Sequence, residues 1–182
     1  MSTPLFLAHG SIEGIGELWN GLLHPLRSPA HLLVLAGLGL FAGQRRSLRS
    51  LFSAFLIASI AGLTLTQWQM ASEPPAFLPC ALSAALGAVV ALRKPLPRML
   101  GLLLFTSSGF ILGWDSTPET ASAWNTFKML LGVWAGLAVL LLNLAGYAKM
   151  ARKRPWVKIA FRVAGSWIMA ISLLSLALAL RK

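Results

Sequence analysis

Residues 123–158 read AWNTFKMLLGVWAGLAVLLLNLAGYAKMARKRPWVK. The run from Ala123 to Tyr147 is apolar and long enough to cross a hydrocarbon core of roughly 30 Å as one helix. Bases then crowd the chain at Lys149, Arg152, Lys153, Arg154 and Lys158. Pro155 falls among them, where a missing N–H costs least. A second apolar run follows from Trp156 to Leu180. Two spans joined by a short cationic connection read as a membrane-inserted pair whose loop stays in the cytoplasm.

The same grammar repeats toward the N-terminus. Apolar segments run from Ile12 to His24, Pro29 to Gly43, Leu48 to Trp68, Ala76 to Leu92 and Leu96 to Trp114. The first two are short, and the first is broken by glycine. Ser28-Pro29 supplies a capping hydroxyl and then proline at the first helical position. Pro74, Pro75, Pro95 and Pro118 fall between segments, and Pro97 at the very start of the fifth. The expected fold is all-α: one integral membrane domain over residues 1–182, about seven helical segments, the first two forming a short N-terminal hairpin.

Composition agrees. Hydrophobic residues make up 57% of the chain and charged residues 12%, with a mean hydropathy of +0.72. A soluble domain of this size needs more polar surface. The net charge of +11 does not point to nucleic acid, because the bases sit in short clusters between apolar runs. Contact with anionic lipid headgroups suits them better. Arg152, Lys153 and Arg154 read first as topology determinants and second as lipid contacts. The single cysteine, Cys80, excludes an intrachain disulfide and reads as a small buried side chain. The N-terminus lacks a basic stretch, so no cleavable signal peptide is expected.

Orientation follows from the bases. Arg45, Arg46 and Arg49 separate segments two and three; Arg93, Lys94 and Arg98 separate four and five. The alternate connections carry Glu73, Asp115 and Glu119 and no Lys or Arg. The expected location is a bacterial-type plasma (inner) membrane with the basic loops cytoplasmic. Trp68, Trp114 and Trp124 then fall at the outer interface and Trp156 at the inner one, with Lys128 reaching outward. If segment one crosses fully, the N-terminus is cytoplasmic; if it only dips in, the N-terminus starts outside. Gly109/Gly113, Gly132/Gly136, Ala58/Gly62 and Ser83/Gly87 have the small-xxx-small spacing of close helix contacts. Packing within the chain is the simpler use for them, and a homo-oligomer interface the other.

Ionisable groups among apolar ones concentrate in one place. All three histidines, His9, His24 and His31, and two of the five acids, Glu13 and Glu17, lie within the first 31 residues. Such groups at membrane depth are costly and invite a functional reading. His9, Glu13 and Glu17 recur at i, i+4 and i+8, one face of a helix. His24 and His31 flank the turn Pro25-Leu26-Arg27-Ser28-Pro29. Imidazole with carboxylate suits a borderline divalent ion such as nickel, cobalt or zinc. The plainer alternative makes His9 a surface residue, His24 a cap of helix carbonyls, and the two glutamates solvated. Thr106, Ser107, Ser108 and Asn143 are expected to bond back to their own helices.

One stretch carries a resemblance. His9-Gly10, Gly14, Gly21-Leu22-Leu23-His24-Pro25-Leu26 and His31-Leu32-Leu33 through Gly39 resemble the start of the HupE/UreJ family. These are small membrane proteins linked with hydrogenase and urease maturation and regarded as nickel or cobalt permeases. Their pattern is a histidine, five residues, then Asp-His. His24 and His31 match the two histidines; Ala30 stands at the aspartate. The resemblance implies a transition-metal permease, with nickel or cobalt as substrate, His24 and His31 as ligands, and Glu13, Glu17 and His9 neutralising charge. The chain departs from the family in a second way: segments three to seven hold no Asp or Glu within their apolar spans. That departure and Ala30 keep a second reading open, a non-transporting accessory subunit docked on other membrane proteins. No nucleotide-binding loop or catalytic set is present, and no enzymatic activity is expected.

Overall fold

The computed structural model describes residues 14–45, 48–67, 74–93, 96–117 and 122–181, and in these the chain is helical without strands. Seven helices follow one another: α1 (Glu17–Arg27), α2 (Pro29–Gly43), α3 (Arg49–Gln67), α4 (Phe77–Leu92), α5 (Arg98–Trp114), α6 (Ala123–Ala151) and α7 (Val157–Leu180). From α2 onward the boundaries follow the apolar runs closely. α2 starts as expected: Pro29 is its first residue, and the Ser28 hydroxyl accepts from the His31 N–H at 3.4 Å.

The first segment differs. Gly14 and Gly16 hold φ of 91° and 76°, a backbone open to glycine and strained for other residues. No helix passes through them, so the helix begins at Glu17 rather than near Ile12. At its other end α1 continues past His24 to Arg27 with Pro25 inside it. The two short helices then meet at a bend of 73°, so they do not fold back as a hairpin.

Close approaches of small residues give the helix directions. A Cβ on Gly132 would strike the Leu18 carbonyl, and one on Gly136 the Leu22 carbonyl, so α1 runs alongside the first half of α6 in the same direction. Gly39 abuts Leu144 and Gly43 abuts Ala148, so α2 runs the same way along the second half. The bent pair therefore follows α6 in the same direction along its length and, taken together, is a candidate for one broken span. It passes the same length and apolarity test that α3, α6 and α7 pass individually. α4 and α5 are shorter apolar helices of 16 and 17 residues, about 24 to 26 Å long.

The remaining pairs follow the same rule. Gly109 meets Phe55 and Gly113 meets Ser59, which sets α5 parallel to α3. Gly87 meets Met169 and Gly165 meets Ala91, which sets α4 antiparallel to α7. Ser83 and Ser172 join that last pair by a 2.7 Å hydrogen bond. The small-xxx-small positions thus serve packing within the chain, where bare backbone lets helices approach closely. α2 is apolar all round and takes the central position such a helix requires. Val34, Leu35 and Leu38 are fully buried against Leu86, Val133, Leu137 and Leu141.

The outside is the reverse of a soluble surface. Ile57, Leu103, Leu142 and Leu174 are all exposed, as lipid-facing side chains are. Polar side chains within the spans bond locally: Ser108 Oγ donates to the Leu104 carbonyl at 2.6 Å and Asn143 Nδ2 to the Val139 carbonyl at 2.7 Å. Lys128 Nζ lies 5.2 Å over the Trp124 ring, one turn back toward the start of α6. Cys80 is half-buried rather than enclosed. The three basic connections gather at one end of the bundle. Arg45 Nη1 donates to the Leu96 carbonyl at 2.8 Å, and Arg152 Nη1 to the Arg45 carbonyl at 3.5 Å.

Candidate metal centre

α1 presents one face to the interior. Asn20, Gly21, His24 and Pro25 are its buried residues. Glu17, Asn20 and His24 stand at i, i+3 and i+7 and share that face. Glu17 Oε2 is shielded and has no hydrogen-bond partner among the described residues. The polar line continues through the bend, where Ser28 is buried, to His31 in the first turn of α2.

The bend brings the two histidines together. Their ring centroids are 5.3 Å apart and their planes cross at 67°. Two imidazoles sharing one tetrahedral ion at a metal–nitrogen distance near 2.1 Å would place their centroids about 5 Å apart. The pair is thus spaced as a shared ion would need.

The third group comes from the far end of α5. Asp115 follows that helix, and its Oδ2 lies 2.9 Å from His31 Nε2; His31 is 0% exposed and Asp115 22%. An ionised carboxylate only accepts, so Nε2 carries the hydrogen and donates it to Asp115. In neutral imidazole the lone pair then resides on Nδ1. His31 Nδ1 is buried and has no hydrogen-bond partner among the described residues. This is the arrangement of metal-ligating histidines, whose other ring nitrogen donates to a carboxylate that fixes tautomer and orientation. The position of Asp115 at the negative end of α5 adds to the local attraction for a cation. Ser116 Oγ closes the same helix end by donating to the Leu112 carbonyl at 2.7 Å.

The residues singled out from sequence divide accordingly. His24 and His31 are brought together, and Glu17 heads the polar face that leads to them. His9 and Glu13 lie outside the described residues. The i, i+4, i+8 face proposed for His9, Glu13 and Glu17 does not form one helix, because α1 starts at Glu17 after two left-handed glycines. Among the described residues no three His, Cys, Asp or Glu side chains converge as one ligand set. Asn20 and Asp115 were missed. Asp115 stood in an acid-bearing connection, and nothing local to it indicates that it turns inward to His31. Arg152, Lys153 and Arg154 are exposed at the opposite, basic end.

Comparison with known proteins adds one finding. The model of the family described as HupE / UreJ protein matches residues 1–175, nearly the whole chain. No curated protein and no solved structure matches the chain.

Proposed function

The chain belongs to the HupE/UreJ family of membrane proteins, and from that premise we propose that it is a permease for a divalent transition ion such as nickel or cobalt. The observation that carries this reading is the buried His24–His31 pair with Asp115 on the far nitrogen of His31. The ion is held by His24 and by the Nδ1 lone pair of His31. Asp115 stands in for the carboxylate that Ala30 does not supply. Glu17 and Asn20 form the approach, and the acidic charge of Glu17 offsets that of the ion; Glu13 and His9, earlier in the sequence, are further candidates for that role. Two imidazoles without a closed cage suit cargo that must leave again.

With the basic end in the cytoplasm of a bacterial-type cell, the broken span enters from outside and the site lies toward the outer face. The N-terminus then starts outside, the second of the two topologies weighed from sequence. These 182 residues carry no nucleotide-binding loop, and we read transport as facilitated diffusion or as movement driven with a partner.

A titration of nickel, cobalt and zinc into the purified protein tests the proposal. Binding in the wild type that His24→Ala/His31→Ala abolishes supports it. No binding in detergent and in lipid overturns it. That outcome favours the accessory-subunit reading, which the lack of a third converging ligand among the described residues also supports. Co-purification with membrane partners is its test.

A further inference from the structure

The opposite end of the bundle holds a small open cavity of about 130 Å³, lined by Gln44, Arg93, Arg152, Val157, Lys158 and Phe161. Three cations face this space. The chain's five acids are Glu13, Glu17, Glu73, Asp115 and Glu119, and none lies in residues 44–49, 93–98 or 149–158. Cations gathered at helix ends, with no carboxylate between them, set up a local positive potential that favours an anion. A further observation points the same way. Gln44 Nε2, in the lining, and Arg45 Nη2, on the next residue, are buried donors without acceptors among the described residues. Buried donors of this kind are costly and uncommon.

We propose that this cavity is a phosphate site, occupied by the headgroup of an anionic phospholipid. Arg93, Arg152 and Lys158 pair with the phosphate oxygens, and Gln44 Nε2 donates to one of them. Basic recesses between spans at the cytoplasmic face take anionic headgroups in this way. The surroundings favour a lipid over free phosphate. Val157 and Phe161 form an apolar wall, and Leu92, Trp156 and Ile159 beside it are 64%, 59% and 68% exposed. Acyl chains leaving the cavity meet apolar side chains there. The site is independent of the metal reading.

The test uses the full chain in neutral detergent and reads the melting temperature. Phosphatidylglycerol, phosphatidylcholine and inorganic phosphate are titrated separately. Phosphatidylglycerol is expected to stabilise the wild type saturably, and phosphatidylcholine much less. Arg93→Asn/Arg152→Gln/Lys158→Gln weakens the apparent affinity by about fivefold per charge removed. Lys128→Gln/Arg181→Gln removes charge at the other end of the bundle and leaves affinity within about twofold. Gln44→Leu gives a second readout should the triple variant not fold. It removes an unpaired buried donor, so the lipid-free protein keeps or gains stability while affinity falls about fivefold. Stabilisation by inorganic phosphate, lost in the cavity variants and not exceeded by lipid, supports the phosphate site but assigns it to free phosphate. Equal lipid response in cavity and control variants, or no response in the wild type, overturns the proposal.

Discussion

Asp115→Ala removes the acceptor that holds His31 Nε2 at 2.9 Å. Two effects follow, and they can be separated. His31 is fully buried, so its Nε2–H is left without a partner, which costs about 1 to 3 kcal/mol of stability. The imidazole also loses the group that fixes its tautomer, so Nδ1 no longer carries the lone pair in most molecules. Loss of such an outer carboxylate lowers metal affinity by about 10- to 100-fold, or about 1.4 to 2.7 kcal/mol. Asp115→Asn keeps an acceptor oxygen and drops the charge. It is expected to retain most of the stability and to lose about tenfold in affinity, the low end of the same range. Calorimetric titration of nickel or cobalt into each protein, beside thermal unfolding without metal, measures both quantities. Nitrogen NMR of His31 in the metal-free protein reports the tautomer directly. Wild-type affinity in both variants, or an Nδ1–H tautomer in the wild type, would refute the role given to Asp115. A loss of stability alone, with the wild type binding no metal, would reduce the contact to a structural one.

Three other outcomes are expected. Ala30→Asp on the Asp115→Ala background restores part of the metal affinity, since it puts a carboxylate back beside His31; titration measures it. Gly132→Val drives a side chain into the Leu18 carbonyl, forces α1 from α6 and costs about 1 to 3 kcal/mol; unfolding shows the loss, and metal binding falls with it because α1 carries His24. In a Cys80→Ser background, cysteines replacing Ile15 and Ser122 react with a membrane-impermeant thiol reagent from the same side and a cysteine replacing Lys153 only from the other; labelling of positions 15 and 153 from one side would break the parallel arrangement of α1 and α6.

The membrane class, the seven segments and the clustering of bases needed no coordinates. Apolar length against bilayer thickness is a one-dimensional property, and so is the alternation of Lys and Arg between loops. The small-residue pairs were legible in the same way, because a helix repeats its face every three or four residues. The ring pair His24 and His31 was legible as two residues flanking a short turn. Its spacing was not, since that depends on the 73° bend.

Where sequence reading failed, the reason was local. A spacing of four implies a helical face only if the backbone between stays helical, and Gly14 and Gly16 break it. A histidine, a bend and a second histidine look like a hairpin until the partner helix is known. Here α6 is long enough, at 29 residues, to carry both halves end to end. Asp115 is 84 residues from His31 in the chain, and only the folded bundle makes them neighbours. Sequence determined what kind of solvent this protein lives in and which side chains are too polar for it. Tertiary structure decided which of those side chains meet, because packing bare glycine backbones sets the depth of each helix. That depth brings Asp115, at the end of α5, against His31 of α2.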